Sequence, residues 1–439
     1  MSNRSILIFF QVASLQRQYK ELFPYKELSN KFIFQEFGPS GNFLQNTHNL
    51  KLNPITRRVH AFLQNSELRR RKYATIFYLD RVNGYYPNKS SLQHIRIRYF
   101  EKKNFLEQVF TLVFSNYYGS LFLKKLLNLL FRFESFFKDD LLNHFDVYIL
   151  PYTGGISVES DFLLWLAKRV KIKSIAIQEN WDNLSSKQFL LNFPSVFLVW
   201  GSQSGSHLRT YHHYNGDIKE IGCLRLQGLY KQRIAPKVRE NRTTFVHEKF
   251  RILVIDSGVT NGDLEILRKL SSWFLDSDTL NKKFEVVYRT HPRFNDTDLR
   301  KKFIAEVKKL PHIRLFIPDD FESNGSRIQQ ISESEIIISI FSTYVLEGSI
   351  LDKICIVPTF AMDYDSFSPK KLIDDITHFH GMSMLNRVKT VTNFDEIITI
   401  VENFEDINAK EPNNLVLLDW FCRNVNTKQE IIDSIHDTE

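Results

Sequence analysis

Two short apolar runs in the second half of the sequence end in polar residues that suit a phosphorylated ligand. One run leads into His291 and Pro292, and the other leads into Ser342 and Thr343. A histidine can donate a hydrogen bond to a phosphate oxygen or stabilise the charge on a departing nucleotide. The Ser-Thr pair is predicted to start a helix, where unpaired backbone N–H groups and the helix dipole attract anions. We therefore predict that both bind one diphosphate; the alternatives are a turn-capping histidine and an ordinary helix N-cap.

Two further residues extend this predicted donor site. Glu347 lies four residues after Thr343, about one helical turn on, so its carboxylate could accept hydrogen bonds from ribose hydroxyls. Gly258 belongs to the segment Ser-Gly-Val-Thr-Asn-Gly, which follows a predicted strand. Its backbone could line the diphosphate, as glycine-rich turns do, although the spacing Gly-x-Gly-x-x-Gly is absent. A plain loop is an equal alternative for Gly258.

A polar loop in the first half of the chain, residues 178–187, offers candidates for catalysis. Glu179 and Asp182 could each act as a general base, and we favour Asp182 because it adjoins Trp181. The indole of Trp181 could stack on an acceptor sugar, with Asn183 as a second acceptor contact. The structural alternative is that the indole fills a gap between loop and sheet, while Asp182 and Asn183 cap a turn.

The elements that must position these residues alternate regularly through most of the chain. The predicted strands are 5–10, 146–150, 174–178, 196–200, 218–221, 251–256, 285–289, 314–317, 336–340 and 354–357. The predicted helices between and after them are 159–170, 204–214, 263–275, 297–310 and 394–404. Strands that alternate with helices of this length predict an α/β fold with Rossmann-like, doubly wound parallel sheets.

One polar segment predicts the domain boundaries. Residues 232–249 contain Pro236, are rich in Lys, Arg, Asn and Glu, and lack an apolar period, so we interpret them as a linker. An acceptor-side domain would then cover 1–231 and a nucleotide-donor domain 250–410. We expect 411–439 to form a terminal helix that could cross back to the first domain. Two such domains would face a cleft between the carboxyl edges of their sheets.

The region before residue 146 is less regular. Within 16–103 the sequence predicts only one strand, at 75–79, whereas 106–145 has the period of a helix with a wide Leu/Phe face. The net charge of +8 is concentrated between Pro54 and Lys103, a segment that contains twelve Lys and Arg residues and only three acidic ones. The rest of the chain is nearly neutral.

This basic region could contact an anionic membrane surface. Arg and Lys at 69–72, with Arg96 and Arg98, precede the Leu/Phe-rich helix, and cationic charge beside an apolar face suits lipid headgroups. A solvated charged face next to a core helix is the alternative. No nucleic-acid-binding motif accompanies the charge, so we expect no nucleic-acid partner.

The cysteine pattern and hydropathy favour a cytoplasmic protein. Cys223, Cys355 and Cys422 lack disulfide or metal-ligand spacing, which suits a reducing compartment. No apolar stretch is long enough for a signal peptide or a membrane span. We also expect no metal and no cofactor, because no Asp-x-Asp motif lies in the relevant turns and the helix N-terminus with His291 could neutralise a diphosphate.

The motifs resemble those of the B-type glycosyltransferase superfamily. His291-Pro292 with Ser342-Thr343 is similar to the paired His-Pro and Ser-Ser/Thr motifs of capsule sialyl- and Kdo-transferases and CDP-glycerol glycerophosphotransferases. In those enzymes both motifs contact the nucleotide phosphates. Glu347 resembles the ribose-binding Glu of many B-type enzymes, although Gly348 replaces the Ala that follows it there.

The resemblance extends to the first half of the chain and has limits. The Trp-Asp-Asn-Leu-Ser-Ser-Lys segment and the later Trp-Gly-x-x-Ser-x-x-His segment are similar to surface-polysaccharide proteins related to the glycerophosphotransferases. The similarity covers about 146–228 and 250–360. The acidic pair followed by Gly that sialyltransferases use as a catalytic base is absent from 1–230, which argues against that activity.

These observations lead to one preferred hypothesis and two alternatives. We expect a cytoplasmic transferase that moves a sugar or an alditol phosphate, and one that is peripheral at the inner face of the membrane if the basic region binds lipid. The donor would be a nucleotide sugar or a CDP-alditol, and the acceptor a surface polysaccharide or lipid-linked glycan. The alternatives are an epimerase resembling UDP-N-acetylglucosamine 2-epimerase and a non-catalytic polysaccharide-assembly protein, since architecture alone does not choose among them.

Overall fold

The computed structural model describes most of the chain. The described residues are 4–11, 13–37, 52–70, 117–136, 144–153, 157–186, 190–234, 249–256, 260–291, 298–318, 324–339, 342–360, 377–410 and 414–437. The expected strand at 75–79, Gly258, Pro292 and most of the expected linker lie outside them.

The chain divides into two compact units. The first contains the described residues of Met1–Asp80 and Tyr99–Gln227, together with those of Asp419–Glu439. The second contains the described residues of Gly228–Leu418.

The first unit is built on a six-stranded parallel sheet. Its strands are β1 (Arg4–Phe9), β2 (Phe32–Phe37), β3 (Val147–Tyr152), β4 (Lys173–Gln178), β5 (Val196–Val199) and β6 (Asp217–Glu220). The order is β2-β1-β3-β4-β5-β6, so the direction of winding reverses beside β1. Ile6 and Ile8 pack into one hydrophobic cluster and Leu7 into another, because successive side chains point to opposite faces. Both faces of the sheet are therefore covered.

Helices cover this sheet. Those of the first unit are α1 (Ala13–Leu22), α2 (Tyr25–Leu28), α3 (Pro54–Arg70), α4 (Tyr117–Phe136), α5 (Val158–Val170), α6 (Asn183–Ser186) and α7 (Ser202–His212). A 3-10 turn at Leu224–Leu226 follows, and α8 (Gln227–Ile234) begins at the boundary between the units.

The second unit repeats the architecture with another strand order. Its strands are β7 (Phe250–Ile255), β8 (Phe284–Arg289), β9 (Ile313–Phe316), β10 (Ile336–Ile338), β11 (Ile354–Pro358) and β12 (Val388–Val391). They are parallel in the order β12-β11-β10-β7-β8-β9. This is the order of the dinucleotide-binding fold, whose ligand crevice lies at the carboxyl ends of the strands where the winding reverses. Here that point lies between β7 and β10.

The helices of the second unit follow its strands. They are α9 (Thr260–Leu275), α10 (Asp278–Lys283), α11 (Asp298–Val307), α12 (Asn324–Ser332), α13 (Thr343–Ile350), α14 (Phe394–Glu402) and α15 (Phe404–Lys410). Helix α16 (Leu415–Phe421) carries the chain to the boundary at Asp419, and α17 (Thr427–His436) belongs to the first unit. The predicted fold class, α/β with two doubly wound parallel sheets, is confirmed.

Several elements differ from the sequence prediction. Within 16–103 the structure contains most of α1 together with α2, β2 and α3, none of which was predicted. The described part of the helix expected over 106–145 is α4 alone. The single terminal helix expected over 411–439 is two helices, α16 and α17, with Asn426 capping the second.

The C-terminal segment packs closely on the first sheet. Arg423 N donates to Trp200 O at 2.8 Å, and Lys173 Nζ donates to Ser434 O at 2.7 Å. A Cβ on Gly222, which has a φ of 72°, would lie 2.3 Å from Arg423 O. Glycine is therefore required there by both conformation and space.

Candidate functional site

The site in the second unit lies where three neighbouring strands end. Strand β7 pairs with β8 on one side and with β10 on the other. Asp256 follows β7, His291 lies two residues after β8, and Ser342 lies four residues after β10. These residues share one carboxyl edge of the sheet, at the point where its winding reverses. Binding of a phosphorylated ligand is typical of this position.

A buried ion pair fixes the backbone at His291. The N–H of His291 donates to Asp256 Oδ2 at 2.6 Å, and the same carboxylate pairs with the Arg300 guanidinium. Both charged side chains are buried. Burial lowers the pKa of Arg300 to about 10, so its guanidinium stays charged at neutral pH. The pair therefore holds the turn that carries the half-buried His291.

Ser342 caps the N-terminus of helix α13, which is the ordinary N-cap role stated above as the alternative to phosphate binding. Its Oγ accepts a hydrogen bond from Tyr344 N at 3.2 Å. A hydroxyl that accepts one bond can still donate its own proton. Capping therefore leaves Ser342 able to contact a phosphate, with Thr343 beside it in the first turn of the helix.

Two buried hydroxyls accompany this edge of the sheet. Thr290 Oγ1, directly after β8, and Ser339 Oγ, directly after β10, have no hydrogen-bond partner within the described part of the chain. Unsatisfied buried hydroxyls are uncommon in native proteins and call for a physical explanation. A ligand with several acceptor oxygens would supply partners.

Glu347 is not placed as the ribose interpretation expected. Its side chain is fully buried, and its carboxylate is engaged by Arg327 from α12. The Arg327 guanidinium also lies over the ring of Tyr344, 4.9 Å from the centroid. Because a buried charge is stable only when paired, this placement favours a structural role for Glu347 in joining α12 to α13.

Arg289 is a candidate that the sequence reasoning missed. It is the last residue of β8 and is only 4% exposed. Its guanidinium lies 5.4 Å from the ring centroid of Phe316 and 5.6 Å from that of Tyr344, and it donates to Gln330 Oε1 at 2.6 Å. An arginine that ends a buried strand two residues before a histidine was the available signal. The structure thus brings a buried cation beside the first turn of α13.

The first unit contains a different kind of site at the end of β4. Glu179 follows this strand, is 8% exposed, and accepts a short hydrogen bond from the Tyr19 hydroxyl. Burial raises the pKa of Glu179 to about 7, although the bond from Tyr19 and the charge of Arg225 oppose the rise. A carboxyl group with this pKa can take up or release a proton near neutral pH.

Trp181 and Asn183 are parts of the core of the first unit. The indole of Trp181 is 1% exposed, donates to Gln203 Oε1 at 2.8 Å and packs edge-on against Phe421. The buried amide of Asn183 donates to Tyr152 O at 2.6 Å. These contacts favour the alternative in which Trp181 fills a gap between loop and sheet, and they leave no ring face for an acceptor sugar.

Asp182 is the more exposed of the two predicted bases. It is half-buried, and its carbonyl accepts bonds of 3.4 Å from Ser185 N and Ser185 Oγ. These bonds form the turn that starts α6. The structure thus gives the two carboxylates of the loop different surroundings, with the perturbed pKa on Glu179.

Comparison with known proteins identifies the fold. No protein-family model matches the sequence, and no curated protein matches it. The solved UDP-GlcNAc 2-epimerase from Neisseria meningitidis, bound to UDP-GlcNAc, is 13% identical, covers 99% of this chain and 100% of its own, and has a TM-score of 0.50. The shared property is the fold.

Two other solved structures are similar at lower scores. A UDP-GlcNAc 2-epimerase from Methanocaldococcus jannaschii is 13% identical, with 99% of each chain covered and a TM-score of 0.49. A glycosyltransferase from Rickettsia africae is 12% identical, with 100% of this chain and 99% of its own covered, and a TM-score of 0.45. The similarity to the Neisseria enzyme extends over both units, and the predicted B-type fold is confirmed at that level.

Proposed function

We propose that the chain is a transferase that moves a sugar or an alditol phosphate from a nucleotide donor to a surface polysaccharide or lipid-linked glycan. The observation that carries this proposal is the carboxyl edge at β7, β8 and β10. Buried Arg289, the N-terminus of α13 and two hydroxyls that lack a partner among the described residues lie together there. The Neisseria enzyme that shares the fold was solved with UDP-GlcNAc bound, which supports a nucleotide sugar as the donor.

The donor diphosphate would bind to the second unit. His291, Ser342 and Thr343 would contact its oxygens, and the predicted contact with Gly258 lies outside the described residues. The helix dipole and a guanidinium both favour anions, and hydrogen bonds to charged groups are roughly twice as strong as neutral ones. Glu347 remains in the proposal as a support for this helix and no longer as a ribose ligand.

The general base would be Glu179 of the first unit. The acceptor hydroxyl would give its proton to Glu179 while its oxygen forms a bond to the anomeric carbon, or to phosphorus for an alditol phosphate. The bond to the nucleotide breaks, and the electron pair leaves with the nucleotide phosphate, whose charge His291 and Arg289 stabilise. We assign this role to Glu179 over Asp182 because its pKa lies near the working pH.

Nucleotide-sugar epimerisation is the second candidate. It is favoured by the fold shared with the Neisseria UDP-GlcNAc 2-epimerase and by the proton-exchanging character of Glu179. The two candidates differ in one measurable requirement: transfer needs an acceptor, whereas epimerisation changes the nucleotide sugar without one.

A membrane-bound acceptor is supported by helix α4. Tyr118, Leu129 and Phe136 are 80%, 62% and 74% exposed on this helix, which also carries Lys124 and Lys125. Aromatic and apolar side chains beside cationic ones suit the interface of an anionic bilayer. The basic residues 71, 72, 96 and 98 lie outside the described residues. None of the described helices has the length and apolarity needed to cross a membrane.

Binding and turnover of a donor panel test the proposal. Calorimetry would measure the affinity of the wild-type chain for UDP-, CDP- and other nucleotide sugars and for CDP-alditols, and chromatography would follow each bound donor with and without glycan acceptors. We expect His291→Ala to weaken donor binding or turnover at least tenfold, and His144→Ala, which changes an exposed histidine of the first unit, to have no effect.

The outcomes separate the candidates. Acceptor-dependent loss of donor supports the transferase. Conversion of a nucleotide sugar to its epimer without acceptor would establish the second candidate instead. Binding of glycans but of no nucleotide would overturn both and leave a polysaccharide-assembly protein.

A further inference from the structure

A buried phenol from another part of the chain holds the carboxyl group of Glu179. Tyr19 lies on α1, which follows the first strand of the sheet, whereas Glu179 follows the fourth. The Tyr19 hydroxyl donates to Glu179 Oε1 in a short hydrogen bond, and the phenol is 1% exposed. Neighbouring aromatic rings fix the phenol, since it packs edge-on against Phe10 at 5.2 Å and stacks on Phe23 at 5.3 Å. The hydroxyl of Tyr19 is therefore positioned by the packing of the core and not by solvent.

The two oxygens of Glu179 differ in their surroundings. Oε1 is taken by Tyr19, whereas Oε2 has no hydrogen-bond partner among the described residues. The residue keeps 8% of its surface exposed, and its backbone N–H donates to Tyr152 O at the end of β3. The carboxyl group is thus held at one oxygen and by its backbone, with the second oxygen left for a ligand.

The other ionisable groups around Glu179 adjust its charge without holding it. Arg225 acts through its positive charge, since its Nη1 donates to Asn180 Oδ1 at 3.3 Å and its guanidinium lies over the ring of Trp200. Burial raises the pKa of the neighbouring Cys223 thiol to about 11, so this thiol is neutral. Tyr19 is therefore the one group in this cluster that both contacts Glu179 and sets its geometry.

We propose that Tyr19 is the positioning residue of Glu179, holding Oε1 so that Oε2 takes the proton of the acceptor hydroxyl. The catalytic part of this inference rests on the proposed function. The physical part, that Tyr19 sets the ionisation of Glu179, stands on the contact alone. A bond donated to the carboxylate stabilises its ionised form, so loss of the bond must make Glu179 harder to ionise.

The physical part is tested without any substrate. Infrared titration of the full chain would follow the band of the protonated carboxyl group that disappears in Glu179→Gln. We expect Tyr19→Phe, which keeps the ring packing, to raise the pKa of Glu179 by about 1–2, the range for one lost bond to a charged group. Tyr25→Phe is the matched control, because Tyr25 donates a comparable bond of 2.5 Å to a different carboxylate, Glu36.

The catalytic part is tested by pH profiles of turnover. The base must be ionised, so turnover rises as pH passes the pKa of Glu179, and Tyr19→Phe should move that rise upward by the same amount. At pH 7, where about half of the wild-type Glu179 is ionised, this variant should lose about 5–50-fold in kcat and recover at higher pH, with KM for the donor nearly unchanged. Tyr25→Phe should match the wild type.

Each outcome decides one part. An unchanged carboxyl titration in Tyr19→Phe would mean that Tyr19 only fills the core, and would overturn the inference. A shifted titration with an unshifted rate profile would remove Glu179 from the reaction. If the wild type binds and converts no nucleotide, the proposed function fails, while the infrared result still establishes or removes the control of Glu179 by Tyr19.

Discussion

The carboxyl edges of the two sheets differ in the charges that they bury. At the end of β8 the second unit buries Arg289 and the Asp256–Arg300 pair next to hydroxyls and a helix N-terminus. At the end of β4 the first unit buries a carboxyl group, Glu179, under a phenol. The same architecture thus carries cationic and hydroxyl groups at one edge and a weak acid at the other.

This difference indicates a division of chemical roles. A buried guanidinium near a helix N-terminus stabilises phosphate charge but cannot exchange a proton, because it stays protonated at neutral pH. A buried carboxyl group with a pKa of about 7 can exchange a proton near neutral pH, but its negative charge does not stabilise a phosphate. If the comparison is right, substitutions in the first unit should lower turnover and leave donor binding nearly unchanged, whereas substitutions in the second should weaken donor binding whether or not they also lower turnover.

The largest expected effect is on turnover in the first unit. Glu179→Gln keeps the size of the side chain and removes its ability to accept a proton, so kcat should fall by about 10²–10⁴-fold with donor affinity nearly unchanged. Asp182→Asn should cost much less, about tenfold or below, since its contribution is to the turn. Steady-state kinetics on both variants, with calorimetry for the donor, would measure this, and the opposite ranking would return the base to Asp182.

The next effect is on the stability of the second unit. Arg300→Met leaves Asp256 as a buried carboxylate without its partner, which should lower the free energy of unfolding by about 3–5 kcal/mol. Arg268→Met is the matched control, because Arg268 pairs with Glu306 at 2.7 Å on the surface, and exposed pairs contribute about 0–1 kcal/mol. Chemical denaturation of both variants measures the difference, and equal losses would contradict the importance given to the buried pair.

The raised pKa of Glu179 should also appear as a pH dependence of stability. The folded state holds the proton up to about pH 7, whereas the unfolded chain releases it near 4.5. The folded state binds more protons in this window, so stability is lost as pH rises through it, by roughly 3 kcal/mol in total. Denaturation at a series of pH values should show this slope in the wild type relative to Glu179→Gln, and a vanishing difference would mean an ordinary carboxyl group.

The N-terminus of α13 should contribute to the binding of a nucleoside diphosphate and not to that of the free nucleoside. Ser342→Ala with Thr343→Ala should weaken binding of a nucleoside diphosphate more than that of the free nucleoside, by about 1.5–3 kcal/mol per lost bond to phosphate. Ser277→Ala removes another serine cap of this unit, where Oγ accepts from Leu280 N, and should leave binding unchanged. Calorimetry with UDP and uridine would make the comparison. Equal losses of affinity for UDP and uridine would mean that Ser342 and Thr343 only cap the helix.

The sequence predicted the strands and the ends of strands better than the contacts between them. Strands β1 and β3 to β11 were all predicted, and most of them were recognisable because buried parallel strands are short apolar runs between helical periods. Helix α12, Asn-Gly-Ser-Arg-Ile-Gln-Gln-Ile-Ser, was missed because it is mostly polar. That omission hid the Arg327 partner of Glu347, and with it the structural role of this glutamate.

The first unit shows the same limit at longer range. The loop at 178–187 was recognised as chemically unusual, but burial could not be inferred for Trp181 or Glu179. Tyr19 lies 160 residues before Glu179 in the chain, in a region where no helix was predicted. A pKa is set by such contacts and by desolvation, neither of which is visible in the spacing of residues.

The smallest expected effect concerns the glycine that departs from the resembled Glu-Ala motif. A Cβ on Gly348 would lie 2.5 Å from Ile337 Cδ1 and 2.7 Å from Cys355 Sγ, because α13 lies directly on β10 and β11. Alanine normally stabilises a helix interior relative to glycine by roughly 0.5–1 kcal/mol, but overpacking costs about 1–3 kcal/mol. Gly348→Ala should therefore lower stability by about 1–2 kcal/mol.

Gly205 in α7 of the first unit is the matched control for this change. A Cβ there would meet Ile218 Cγ2 at 3.6 Å and Glu220 Oε1 at 3.8 Å, which are ordinary contacts. Gly205→Ala should accordingly raise stability by about 0.5–1 kcal/mol, opposite in sign to Gly348→Ala. Thermal unfolding of the two variants would show the signs directly. If Gly348→Ala were also stabilising, the neighbouring Ile337 and Cys355 side chains would have to yield without cost, and close packing would not explain why this chain carries glycine after Glu347.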